Sequence, residues 1–302
     1  MQNWTDIYYT SRDGLRLYGR HYPSPGSTRR PVVCLPGLTR NSRDFHDLAT
    51  QLALPDRSGR DVYAVDYRGR GRSEHDPDWK NYSILVELND VLDFMAMRGL
   101  DRAAVIGSSR GGLIAMLMGV LRPNAMGAVV LNDIGPVIER EGLTRIIAYV
   151  GRVPLPDDWE EATELVYEMN RRQFTAVPRE QWSEIARQLF NDENGMPAQS
   201  YDPELAKAIS VMDGPAPELW PQFTALAHVP VLAIRGEHSD ILSEPTLAEM
   251  AARHPRLTAM TVRGEGHTPL LKDEGSIAVI AEFLARTDGE VYAHAPALSA
   301  AG

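Results

Sequence analysis

The 302-residue sequence predicts an α/β protein: a mostly parallel, doubly wound sheet, with an antiparallel hairpin at its N-terminal end and an inserted helical segment. Three observations predict it. Short apolar runs, such as Val32-Val33-Cys34-Leu35 and Ala103-Ala104-Val105-Ile106, end in Gly- or Pro-bearing loops, the pattern of strands buried on both faces. Stretches with apolar residues at helical spacing separate them. The alternation stops after Asp133 and resumes at Val231. Alternating strands and helices imply right-handed crossovers with helices on both faces of the sheet.

Taken in order, residues 7–22 form two Tyr- and Leu-bearing runs flanking Asp13-Gly14, a hairpin turn signal. The strand at 32–35 leads into a helix carrying Phe45, Leu48, Ala49 and Leu52. A strand at 62–65 precedes a helix at 84–97, with Leu85, Leu88, Leu92 and Met95 on one face. A strand at 103–106, a helix at 112–121 and a strand at 128–131 follow. Residues 134–220 show no strand-like run, only amphipathic segments near 143–150, 159–174 and 181–190, punctuated by prolines. Strands at 231–234 and 257–262 and helices at 247–252 and 277–284 complete a core of residues 1–133 and 221–286. Residues 134–220 are expected to form a helical cap, and the small, polar tail 287–302 to fray.

Composition bounds the function. Hydrophobic residues at 43% and charged residues at 24% are those of a globular protein rather than a disordered one. A single cysteine excludes a disulfide framework and any multi-cysteine metal site. A net charge of -10 argues against nucleic acid and anionic membrane as partners, and suits a small-molecule substrate. The N-terminal residues do not read as a secretory signal, which makes the cytoplasm the default expectation. No heptad or edge pattern marks an oligomer interface.

The sharpest motif is Gly107-Ser108-Ser109-Arg110-Gly111, lying between an expected strand and an expected helix. Only Ser109 is framed by glycines two residues to either side, so it is the candidate nucleophile. The helix dipole beyond it favours developing negative charge. Its base is His267, in Gly266-His267-Thr268-Pro269 after the 257–262 strand. An orienting carboxylate is also needed. Asp240, on the loop after the 231–234 strand, is preferred, and Asp133, after the 128–131 strand, is the rival. The backbone N–H groups of Leu38 and Arg110 are the expected oxyanion donors. A cation at a helix N-terminus is unfavourable, so Arg110 is expected to have a carboxylate partner, with Asp133 the candidate. Trp159, Trp182 and Trp220 are candidate pocket residues. Asp66 to Ser73, rich in Arg and Gly, reads as a structural turn rather than an anion cradle.

These segments together resemble the α/β-hydrolase fold family over nearly the whole chain. Asp66-Tyr67-Arg68-Gly69-Arg70-Gly71-Arg72-Ser73 resembles the loop after that family's fourth strand, residues 236–240 its acid loop, and residues 266–269 its histidine loop. Pro36-Gly37 stands where the family more often has His-Gly, and Arg110 where it more often has an apolar residue or Gln. The resemblance implies a Ser109–Asp240–His267 triad and a serine hydrolase of a carboxylic ester or lactone, with no metal or organic cofactor. Carbon–carbon bond hydrolases, acyltransferases and haloperoxidase-like enzymes share such a triad, and some members of the fold bind ligands without catalysis.

Overall fold

A computed structural model describes residues 3–210 and 217–290. Its eight-stranded sheet begins with β1 (Thr5–Thr10) and β2 (Arg16–Tyr22), an antiparallel hairpin closed through Gly14 at positive φ. Then come β3 (Val32–Leu35), helix α1 (His46–Ala53), β4 (Val62–Asp66), α2 (Ile84–Met97), β5 (Ala103–Ser108), α3 (Arg110–Leu121) and β6 (Met126–Asn132). The segment that follows β6 holds α4 (Arg140–Tyr149), α5 (Trp159–Asn170), α6 (Trp182–Leu189), a ribbon of β7 (Asn191–Glu193) and β8 (Met196–Ala198), and α7 (Leu205–Ser210). The chain returns through α8 (Trp220–Thr224), β9 (Val231–Gly236), α9 (Glu244–Arg253), β10 (Leu257–Val262) and α10 (Glu274–Glu290).

The strand order is β1-β2-β4-β3-β5-β6-β9-β10. β2 runs antiparallel to β1 and β4, and β4, β3, β5, β6, β9 and β10 are parallel. The side-chain period of two divides the sheet cleanly. Val33, Leu35, Ala103 and Val105 join one core with Leu88, Phe94, Ile114 and Met250 from α2, α3 and α9. Val32, Cys34, Ala104 and Ile106 join the other with Leu48, Leu52, Ile280 and Phe283 from α1 and α10. Apolar runs without alternation are therefore what this sheet requires, because both faces are covered.

Two expectations are revised. The segment 134–220 is not wholly helical: Asn194-Gly195, both at positive φ, closes the β7–β8 ribbon. Asn-Gly is a hairpin signal, but three-residue strands carry too few residues to show alternation. The last helix runs to Glu290, into the segment expected to fray from Thr287, where the Thr287 hydroxyl donates to the Leu284 carbonyl. The remainder of that tail, 291–302, lies outside the described residues. Within the inserted segment, α5 and α6 bury a core of their own, in which Phe174 and Trp182 pack edge-on, 6.2 Å between ring centroids.

Candidate active site

The chain beyond the carboxyl ends of β3, β5 and β10 lines one cleft, and Asp133 after β6 reaches it through His267, as parallel sheets arrange their chemistry. Ser109 occupies the sharp turn between β5 and α3, at φ 50° and ψ -111°. The crowding around it explains the flanking glycines. A Cβ on Gly107 would lie 2.4 Å from the Gly111 carbonyl carbon, and one on Gly111 would lie 2.1 Å from the Leu35 carbonyl oxygen. The Ser109 amide donates to the Asn132 carbonyl at 2.9 Å, which ties the turn to β6.

His267 brings its ring between Ser109 and Asp133. Nε2 lies 2.9 Å from the Ser109 Oγ, and Nδ1 lies 2.7 Å from an oxygen of Asp133. An ionised carboxylate only accepts, so Nδ1 carries the proton and Nε2 is free to accept from the serine hydroxyl. Asp133 is fully buried and also accepts from the Gly236 amide at 2.8 Å and the Ser239 hydroxyl at 2.6 Å. Those donors hold the carboxylate in place.

Asp240, the acid expected from the sequence, is occupied elsewhere. Arg145 donates to both its oxygens, at 2.6 and 2.8 Å. The cause is the docking of α4. The Gly142 amide donates to the Asp240 carbonyl at 3.1 Å, and a Cβ there would lie 2.2 Å from that oxygen. The close approach sets Arg145, one turn on, over the Asp240 carboxylate, and leaves the end of β6 facing His267. Arg110 is also partnered differently from expectation. Its carboxylate is Glu87 of α2, at 2.6 Å, and not Asp133. Glu87 also lies 2.8 Å from Nη1 of Arg70, whose Nε donates to the Leu38 carbonyl at 2.9 Å. Burial disfavours the Glu87 charge, but Arg110 and Arg70 outweigh it and hold the carboxyl below its usual range.

The cleft has a volume of about 140 Å³. Gly37, Leu38, Ser109 and His267 form its floor, and Phe174, Trp182, Ile185 and Leu189 contribute apolar walls. Of the three tryptophans named from the sequence, Trp182 lines it. Trp159 instead donates to the Gly195 carbonyl at 2.9 Å beneath Arg187. Trp220 packs on Phe223 under Arg253. Arg40 and Arg145 also line the cleft, and sequence reasoning missed both. Arg145 carries no signal beyond being polar in an amphipathic helix, whereas Arg40 stands close enough to Gly37-Leu38 to have been placed there.

The Asp66–Ser73 loop is tied into the fold by ion pairs and amide contacts. Arg68 is held by Asp13, Asp76 and Asp90, and Asp66 accepts from the amides of Ser42 and Arg72. Among the described residues no cluster of His, Cys, Asp and Glu is arranged to hold a metal ion. Nor is any described helix long and apolar enough to cross a membrane.

A serine on a strand–turn–helix elbow, beside a histidine that faces a buried carboxylate, has the form of a serine hydrolase site. The chain belongs to the alpha/beta hydrolase family, whose model matches residues 32–280, and it is an enzyme of that hydrolase class. Among solved structures, it is similar to an alpha/beta hydrolase from Novosphingobium aromaticivorans, with a TM-score of 0.87 and 39% identity, over 95% of this chain and 99% of that one. It is 31% identical over 280 residues to the 3-hydroxybutyrate-oligomer hydrolase of Cupriavidus necator, covering 89% of this chain and 93% of the relative. It is 27% identical over 245 residues to Esterase YbfF of Escherichia coli, covering 78% and 85%. The relatives support an ester hydrolase.

Proposed function

We propose that this enzyme hydrolyses a short carboxylic ester, of the hydroxy-acid kind, through an acyl-enzyme on Ser109. The observation that carries the reading is the continuous contact from Ser109 through His267 to Asp133, at 2.9 and 2.7 Å. His267 takes the hydroxyl proton as Ser109 attacks the ester carbonyl, and then gives it to the leaving alcohol. Asp133 fixes the tautomer and stabilises the imidazolium. The Arg110 amide, first in α3, has no acceptor within its own helix and holds the oxyanion. Gly37 accepts from the Arg40 amide at 3.2 Å, so in a planar trans peptide the Leu38 N–H points the opposite way, as the second donor. Water then attacks the acyl-enzyme with His267 as base. The choice of a hydroxy-acid ester is supported by the name of the Cupriavidus relative and by a cleft that is part apolar and part polar.

The test pairs turnover of p-nitrophenyl butyrate and of a linear 3-hydroxybutyrate dimer with fluorophosphonate labelling. Turnover should fall by roughly four orders of magnitude or more in Ser109→Ala. The label should map to Ser109. Labelling without turnover of either ester would overturn ester hydrolysis in favour of carbon–carbon bond cleavage or acyl transfer.

A further inference from the structure

Ester hydrolysis leaves part of the cleft without a role. Arg40, on the loop after β3, and Arg145, on α4, both line it beside Ser109 and His267. A neutral ester needs neither guanidinium. Each is clamped along one edge by a carboxylate. Asp44 takes Nε and Nη2 of Arg40 at 2.6 and 2.7 Å, and Asp240 takes the same atoms of Arg145 at 2.6 and 2.8 Å. A guanidinium has five N–H donors, so a bidentate pair leaves its Nη1 end for other acceptors, and the Tyr149 hydroxyl lies within hydrogen-bonding reach of Arg145.

Support of the fold accounts for one pair only. Arg145–Asp240 joins α4 to the loop after β9 and so docks the inserted segment. Arg40–Asp44 joins two residues four apart on one segment and ties no elements together. Burial works against the Arg40 charge, but Asp44 outweighs it and keeps the cation at the cleft. Tyr149, one turn along α4 from Arg145, lines the same space. Burial raises its phenol, with Arg145 and Arg40 near enough to draw it the other way, so it stands there as a neutral hydroxyl that can accept from Arg145 and still donate its own O–H. Arg40, Arg145 and Tyr149 therefore bring donors to a cleft that the Asp44 carboxylate also lines, and Phe174, Trp182, Ile185 and Leu189 bring apolar surface.

We propose that Arg40 and Arg145 form a carboxylate subsite, and that the preferred ester carries a free carboxylate at the end of a short chain. This inference rests on the ester-hydrolase reading. The two ion pairs sum to zero charge, so recognition comes from directed, charge-assisted N–H donors rather than from a positive field. Because Asp44 and Asp240 already fix the guanidinium planes, little side-chain freedom is lost on binding. The apolar lining residues take the hydrocarbon of the same substrate.

The experiment uses Ser109→Ala, which retains the cleft without turnover, and calorimetric titration with the linear 3-hydroxybutyrate dimer as free acid and as methyl ester. The acid should bind at least about tenfold more tightly, as expected of paired charged donors. Adding Arg40→Gln or Arg145→Gln should remove most of that preference. Equal affinities, a tighter methyl ester, no binding of the acid, or a preference that survives both substitutions would overturn the subsite. Turnover of p-nitrophenyl butyrate by the unsubstituted enzyme separates the two readings. Turnover without acid preference removes the subsite and leaves ester hydrolysis standing. Acid preference without turnover does the reverse.

Discussion

The Glu87 carboxylate, fully buried on α2, lies 2.6 Å from the guanidinium of Arg110, the residue that follows Ser109. It lies equally within reach of Arg70, which holds the Leu38 carbonyl. One carboxylate thus links the two backbone segments proposed to bind the oxyanion. Glu87→Gln keeps the shape and leaves two buried cations short of charge. Removing one partner from a buried ion network typically destabilises by about 3–5 kcal/mol. Thermal unfolding should show that loss. Steady-state kinetics should show kcat lowered roughly ten- to hundredfold, with KM little changed, the signature of displaced oxyanion donors.

Asp133 and Asp240 are separable by substitution. Asp133→Asn removes the charge that faces His267 and favours the wrong tautomer, so kcat on p-nitrophenyl butyrate should fall by roughly 10³–10⁴. Asp240→Asn disturbs Arg145 and should cost far less on that neutral ester. Reversed magnitudes would return the orienting role to Asp240.

Gly111→Ala sets a Cβ 2.1 Å from the Leu35 carbonyl oxygen, a backbone atom with no freedom to turn away. β3 and the nucleophile turn would have to part. Overpacking of this kind destabilises by about 3 kcal/mol or more when backbone must move. Urea unfolding should register the loss, and ester turnover should vanish with it.

His254 gives a pH dependence of stability. It is buried, with Nε2 donating to the Leu226 carbonyl at 3.0 Å and Nδ1 accepting from the Arg256 amide at 3.1 Å. Protonating Nδ1 would set two donors against each other. Burial, the largest influence, lowers its pKa, and the nearby Arg256 and His228 act in the same direction, while the Leu226 carbonyl opposes. Between this depressed value and the unfolded value of about 6.5, the unfolded chain binds more protons than the folded one. The contribution of His254 is therefore present above about pH 6.5 and is lost as pH falls through the folded pKa. Melting temperatures measured from pH 7.5 to 5 should decline, and less steeply in His254→Gln.

Much of this architecture is legible in the sequence because local and tertiary demands agree. The helix expected at 84–97 has those bounds, and Ser83 caps it through a hydrogen bond to the Val86 amide. The strand at 257–262 likewise has its expected bounds. The nucleophile turn is legible because glycine spacing is a local requirement. The partner of His267 is not, because Asp133 and Asp240 both follow strands whose loops lie near that histidine. The choice turns on where α4 comes to rest, and that depends on the contact of Gly142 with the Asp240 loop. Glu87 is hidden for a similar reason: in sequence it is one more acidic residue near the start of an amphipathic helix.

The positive φ at Ser109 has a consequence for how such a chain is maintained over generations. A non-glycine residue held in a sparsely populated backbone region costs of order 1–3 kcal/mol. Glycine would relieve that strain, so Ser109→Gly should melt at a higher temperature than the parent while losing all esterase turnover. Screening variants for heat resistance alone would then tend to discard the reactive hydroxyl. Its presence in a position that glycine would occupy more comfortably is what the proposed nucleophile role would require, chemistry kept at the expense of ruggedness.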